Sequence, residues 1–291
     1  TLKNDVPLKN DATDFIIKDI NKDKLYEFLR DMEFNRLLSQ AISFYGEPGS
    51  KDFNEKTLVK KKDKINTKIY KTISKEKQLD ELIKKLNEKS VIAVDTETSS
   101  LNPQEADLVG VSLCYEANEA FYIPVGHKEK TELKKDVVLK KLKPILEDPS
   151  IKKVGQNIKY DFIIFKNHGI ELSPVDDTML LSYTLDAGNN RHNMDTLSEL
   201  HLGHKTISYK DIVGTGKKQL NFSEVDLKSA TEYAAEDADI TLRLYEILSE
   251  RVSDEKLEKI YEVFEKPMIK ILSKLETSGI KVDNVYLKKL S

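Results

Sequence analysis

The hydrophobic pattern predicts an α/β domain, a mixed sheet flanked by helices, with helical flanking segments. Two observations carry this. Three short runs of strand character, residues 91–94, 108–115 and 120–125, follow one another as a meander, and a fourth at 151–154 gives way to mainly helical spacing. Residues 227–252 contain neither Gly nor Pro and read as one long helix.

In chain order, Leu25, Tyr26, Phe28, Leu29, Phe34, Leu37 and Leu38 recur at helical spacing and predict one amphipathic segment. Gly46, Pro48 and Gly49 follow. The polar stretch 50–66, with Lys60, Lys61 and Lys62 inside it, reads as a solvated tether rather than a nucleic-acid patch. Ile69 and Ile73 suggest a short strand, and Leu79, Leu82, Ile83 and Leu86 mark one helical face. Residues 130–146 read as a helix broken near Pro144. After the long helix, residues 256–275 form another amphipathic helix that Pro267 kinks or breaks. Gly279 is placed to end it, and residues 280–283 leave extended.

The 47 basic and 50 acidic residues leave a net charge of −3. Charge of that size cannot hold a duplex by itself, although it permits a nuclease that grips a few terminal nucleotides with the help of cations. Cys114 is the sole cysteine, which excludes an internal disulfide framework and a thiolate zinc cluster. A reducing, cytoplasmic setting is expected. No apolar run approaches the roughly 20 residues that span a bilayer, so no membrane association is expected. The chain opens without Met or a signal-like apolar core and closes inside a helical pattern, which reads as a piece of a larger protein. Arginine is scarce, so Arg191 stands out as a bidentate phosphate binder.

Three constellations of acids carry the chemistry. In Val94-Asp95-Thr96-Glu97, strand alternation sends Asp95 and Glu97 to one face while Ile92 and Val94 bury on the other. Two carboxylates on one face repel unless a proton or cation lies between them, and hard oxygen ligands suit Mg²⁺ or Mn²⁺. Tyr233 and Asp237, four apart on the long helix, share one of its faces. Asp161, in Gly155-Gln156-Asn157-Ile158-Lys159-Tyr160-Asp161, falls at the start of a helix. Taken singly, these are better read as a polar strand end, a half-exposed helix face and a match to the helix dipole. Glu236 and Asp239 read as part of such a half-exposed face, outside any site. His201 and His204 form H-x-x-H but lack the further ligands a zinc site needs.

In order, D-x-E, N-x-x-Y-D and Y-x-x-x-D resemble the DEDD exonuclease superfamily, in its tyrosine branch. The strings VIAVDTETSSLNP, VGQNIKYDFIIFKNHGIEL, DDTMLLSYTLD, RHNMDTLSELHLGHKTISY and YAAEDADITLRLYEIL resemble the proofreading domain of bacterial DNA polymerase I over residues 64–253. Residues 1–46 are similar to the end of that enzyme's 5′-nuclease domain, 47–63 to a linker, and 254–291 to the opening of its polymerase domain. The acids of the 5′-nuclease site and the parts that carry polymerisation are missing from the sequence.

The resemblance implies a ribonuclease H-like exonuclease fold, a 3′→5′ proofreading activity and two divalent metal ions about 4 Å apart. Asp95, Glu97 and Asp237 would hold the tighter ion, where Zn²⁺ also fits, and Asp95 and Asp161 the second. Tyr233 and Glu97 would orient the attacking water. Leu101 would wedge against the terminal base, with Tyr209 opposite it in place of the family's commoner phenylalanine. Gln156, Asn157, Tyr160 and Arg191 would hold the terminal phosphates and sugar. The partner implied is DNA with single-stranded or frayed 3′ ends, acted on by a monomer near the nucleoid during replication and repair. An RNase D-like ribonuclease and an inactive scaffold domain are the alternatives.

Overall fold

The computed structural model describes residues 20–32, 34–46, 65–216 and 219–290. The chain divides into two compact units, residues 1–60 and 61–291. In the first, the single segment expected from residue 25 onward is instead two helices, α1 (Lys22–Asp31) and α2 (Asn35–Tyr45). Asn21 caps α1 by accepting from Lys24 N–H, and Tyr26 and Leu29 of α1 bury against Ala41 of α2. The Tyr26 hydroxyl donates to Gly46 O at 2.7 Å, closing the hairpin where the chain leaves α2. The tether expected at 47–63 lies outside the described residues.

The second unit begins with a 3₁₀ turn, Thr67–Ile69, and the short strand β1 (Lys71–Thr72), so the strand falls between Ile69 and Ile73. Then come α3 (Glu76–Leu86), β2 (Val91–Thr98), β3 (Leu108–Cys114), β4 (Ala120–Pro124) and α4 (Lys135–Leu146). Pro144 sits inside α4, which runs on to Leu146. Next are β5 (Lys152–Gly155), α5 (Lys159–Asn167) and β6 (Val175–Asp177), a strand too short to leave a period in the sequence. The rest is helical: α6 (Thr178–Asp186), α7 (Met194–Leu202), α8 (Tyr209–Val213), α9 (Leu227–Asp254), α10 (Glu258–Ile260), α11 (Lys266–Ser278) and α12 (Asn284–Leu290). A π-turn at Tyr261–Glu265 runs directly into α11, so the irregularity expected at Pro267 takes the form of a π-bulge just before it. Gly279, with φ of 66°, ends α11 as expected. Among the described residues no helix is long and apolar enough to cross a membrane.

The six strands lie in the order β1-β4-β3-β2-β5-β6. β2 is central, antiparallel to β3 and parallel to β5. Alternation along β2 divides the domain in two. Ile92 and Val94 join Val111, Leu113, Phe121 and Ile123 under α3, α4 and α5, together with Ile269 of α11. Ala93 on the other face meets Ala235, Ala238 and Leu242 of α9. Alanine on both sides of this second contact lets the helix backbone lie close to the sheet, and close packing fixes its distance. That approach brings Asp237 of α9 to the same face as Asp95 and Glu97.

Candidate active site

The site forms where β2 runs out of the sheet. Asp95 pairs with Ser112 and Glu97 with Gly110, after which the register shifts so that Thr98 faces Leu108. The extra residue is Val109 of β3, and this bulge distorts the ladder immediately after the two acids. Gly110 has no alternative: a Cβ there would fall 2.1 Å from the Tyr122 hydroxyl oxygen, because that ring fills the space beside Glu97. A glycine within an apolar strand signals such a close approach.

Asp95, Glu97 and Asp237 bring one carboxylate oxygen each within 4.8 Å of one another. Asp161 reaches the site from the opposite side of the sheet. It is carried by α5, which packs on the face opposite α9, and its Oδ1 accepts from Thr96 Oγ1 at 2.6 Å. The loop before α5 is held in turn by Asp177, whose carboxylate accepts from the N–H groups of Asn157 and Ile158, each at 3.0 Å, and of Met179 at 2.8 Å. Asn157 takes the left-handed conformation there, φ 58°, which asparagine tolerates better than most residues.

Crowding of acids at low solvent access raises every pKa in the group. Burial pushes the Asp95 carboxyl up to about 6, against a hydrogen bond from Ser112 that favours the charge. Burial, then the charges of Asp95, Asp237 and Asp161, hold Glu97 well above the usual carboxylate range. Asp161 and Asp237 are raised well above it as well, by burial first and then by Asp95. The Tyr233 phenol is pushed up by burial and by neighbouring Asp237. Four hard oxygen donors that repel one another are a donor set that divalent cations of the Mg²⁺ class fit.

A cleft of about 690 Å³ opens over these acids. Of the expected substrate residues, Leu101, Gln156, Asn157, Tyr160 and Tyr209 line it, together with Tyr233. Leu101 is 96% exposed, an apolar side chain standing free at the rim. The Tyr160 hydroxyl donates to Ser100 O at 2.5 Å and meets Thr98 Oγ1, bracing the loop that carries Leu101. The Gln156 side chain is engaged on both ends, donating to His192 O at 2.7 Å and accepting from Thr178. Arg191 does not line the cleft; it is exposed, next to His192.

Tyr209 lies nearly parallel to Phe222, with centroids 6.2 Å apart, and edge-on to Tyr233 at 6.0 Å. Phe222 in turn packs edge-on against Tyr122. Phe222, Lys210, Gln219, Leu220 and Asn221 also line the cleft, and the sequence pattern does not mark them, because the short helix α8, the loop after it and the 3₁₀ turn at Phe222–Glu224 are too short to leave a period.

The reading of Glu236 and Asp239 as half-exposed is corrected. They are 1% and 0% exposed. Asp239 accepts from the Tyr70 hydroxyl at 2.7 Å and from Arg243 Nε at 2.9 Å, tying α9 to the start of the domain. His204 is paired with Glu236 rather than with His201.

A 3′-5′ exonuclease family model matches residues 70–253. DNA polymerase I of Rhizobium leguminosarum is 42% identical over 242 residues, covering 76% of this chain and 24% of that protein. DNA polymerase I of Pseudomonas aeruginosa is 36% identical over 290 residues, 97% of this chain and 31% of the relative. The chain thus spans about a quarter to a third of the length of these relatives. The structure of Brucella melitensis NrnC bound to pGG superposes with a TM-score of 0.55 at 21% identity, covering 74% of this chain and 95% of that one. That likeness shows the ribonuclease H-like fold. The fold, the converging acids and the match over residues 70–253 lead to one conclusion: the chain belongs to the 3′-5′ exonuclease family that occurs in bacterial DNA polymerase I.

Proposed function

We propose that the chain removes 3′-terminal nucleotides from single-stranded or frayed DNA by metal-dependent hydrolysis, as the proofreading part of a polymerase active in replication and repair. One observation carries the reading: three carboxylates within 4.8 Å of one another at the floor of a cleft, with a free apolar side chain and an aromatic wall at its rim. Asp95, Glu97 and Asp237 would hold one divalent ion, and Asp95 with Asp161 a second. When bound, Mg²⁺ or Mn²⁺ supplies an acidified water and charge compensation at the scissile phosphate.

The chain's own residues do the rest. Leu101 and Tyr209 offer an apolar edge and a π-face to the terminal base. Gln156, Asn157 and Tyr160 would hold the terminal phosphates and sugar, and Arg191, exposed beside His192 outside the cleft, would add a guanidinium for phosphate. The Tyr233 hydroxyl and Glu97 orient the attacking water. Unpairing a terminal nucleotide costs a few kcal/mol, least at a mismatch, which favours frayed ends. The domain division at 46, 63 and 253, a monomeric state and a cytoplasmic, nucleoid-associated location belong to the same proposal.

The test is incubation of the chain with 3′-labelled single-stranded DNA in Mg²⁺ or Mn²⁺, with a chelator control and a matched RNA strand. Release of 5′-mononucleotides from DNA supports the reading. Preference for RNA would move it to an RNase D-like activity, and no release in either metal would leave a scaffold domain.

A further inference from the structure

We infer that Glu236 is a positioning residue for the end of the substrate, an inference that rests on the exonuclease reading above. Its carboxylate takes two hydrogen bonds from one loop. Ile207 N–H donates to Oε2 at 2.7 Å, and the His204 Nε2 lies 2.8 Å from Oε1. A carboxylate buried this deeply is retained where donors satisfy it. Both donors come from the segment leading directly into Tyr209.

Beyond this segment α8 packs Val213 into the core with Ala230 and Ala234 of α9, so the Glu236 bonds fix the stretch that leads into Tyr209 rather than the helix end. Ser208, at the N-cap of α8, makes no capping bond with its side chain. Other ties, His204 N–H to Ser198 O at 3.3 Å, Ser198 Oγ to His204 O at 2.8 Å and Thr206 Oγ1 to Asp195 at 2.7 Å, anchor it to α7. The bond from Ile207 to Glu236 joins it to α9, two residues before the ring that stacks on Phe222 and meets Tyr233.

Glu236 and Asp237 are consecutive, and successive side chains on a helix point about 100° apart. One turn of α9 thereby presents Asp237 to the other acids and Glu236 to the loop, with Tyr233 one turn earlier. The wall against which the terminal base stacks and the carboxylates that cut behind it are set by the same backbone. Glu236 acts on the substrate through Tyr209, touching neither the metal group nor the cleft.

The experiment is a double-mutant cycle on the full chain, comparing wild type, Glu236→Ala, Tyr209→Ala and the pair. KM and kcat are measured on single-stranded DNA, and the Mn²⁺-dependent rise in Tm is measured in parallel. Glu236→Ala is expected to raise KM about tenfold, the scale of one base–aromatic stack, with kcat within about threefold and the Mn²⁺ rise kept. In the Tyr209→Ala background it should add little, since both changes remove one contact. Glu236→Gln keeps an acceptor for Ile207 N–H and should restore most of KM.

Independent, multiplying effects of Glu236→Ala and Tyr209→Ala would overturn the inference, as would an unchanged KM or loss of the Mn²⁺ rise. If Glu236→Ala fails to fold, Glu236→Gln takes its place in the cycle: a smaller KM effect that vanishes with Tyr209→Ala supports the role, and one that persists overturns it. An inactive wild type is a different result, because it sinks the exonuclease reading itself.

Discussion

Thr96 and Asp161 are joined by a 2.6 Å hydrogen bond between side chains from two different layers of the domain. Thr96 points away from Asp95 and Glu97, toward the helices under the sheet, and from there it holds the one acid that does not share their face. This bond opposes the upward shift of the Asp161 pKa, so it favours the charged form that a cation needs. Thr96→Val keeps the shape and removes the donor. We expect exonuclease activity to fall about 10- to 100-fold, the usual range for outer partners of metal ligands, with the fold intact. Unchanged activity would show that Asp161 finds its place without Thr96.

Divalent ions should stabilise the chain. At a hundred times Kd, linkage contributes about 2.7 kcal/mol, or roughly 5–10 °C in Tm for a domain of this size. Melting curves with and without Mn²⁺ measure it. The rise should disappear in Asp95→Ala/Asp237→Ala, and an equal rise in that variant would place the ions elsewhere.

The same acids set a pH dependence. The Asp95 carboxyl sits at about 6 when folded, above its ordinary 3.8. A raised carboxyl pKa contributes stability that is present below the unfolded value and lost as pH rises through the folded one. The metal-free chain should therefore lose Tm between about pH 4 and pH 7 more steeply than Asp95→Asn does. Metal binding needs the charged form, so the Mn²⁺ rise should be small at pH 5 and full at pH 7.5. A Mn²⁺ rise independent of pH would contradict the assignment of Asp95.

Leu101 and Asp161 should separate binding from chemistry. Leu101 offers no ligand atom and stands at the rim, so Leu101→Ala, which removes apolar contact worth roughly 1.5 kcal/mol, should raise KM about tenfold while the Mn²⁺ effect on Tm survives. Asp161→Ala should abolish turnover while a mononucleotide still binds, as titration would show. Loss of the metal effect in Leu101→Ala would count against the assignment of the first motif.

On substrates, a net charge of −3 offers little phosphate neutralisation. Single strands should be trimmed at high concentration, blunt duplex more slowly, and a primed template should not be extended by this chain. Blunt duplex cut as fast as single strand would overturn the fraying argument, and primer extension would overturn the reading of residues 254–291.

Ordered motifs made the acids legible in the sequence. Alternation in VIAVDTET placed Asp95 and Glu97 on one face, and helical spacing paired Tyr233 with Asp237. The long helix and the four central strands were legible for the same reason: each buries a face whose period is local. What tertiary structure decided lies between elements. That α9 can lie close enough to bring Asp237 to β2 depends on alanines of β2 and α9 meeting face to face. That Asp161 joins from the far side depends on Thr96, and that Tyr209 faces Tyr233 depends on a loop bound to Glu236. Glu236 and Asp239 looked like solvent-facing charges because a helical period marks polarity but not burial. Both were carried into the interior by partners far away in the chain, and no spacing within YAAEDAD could name those partners.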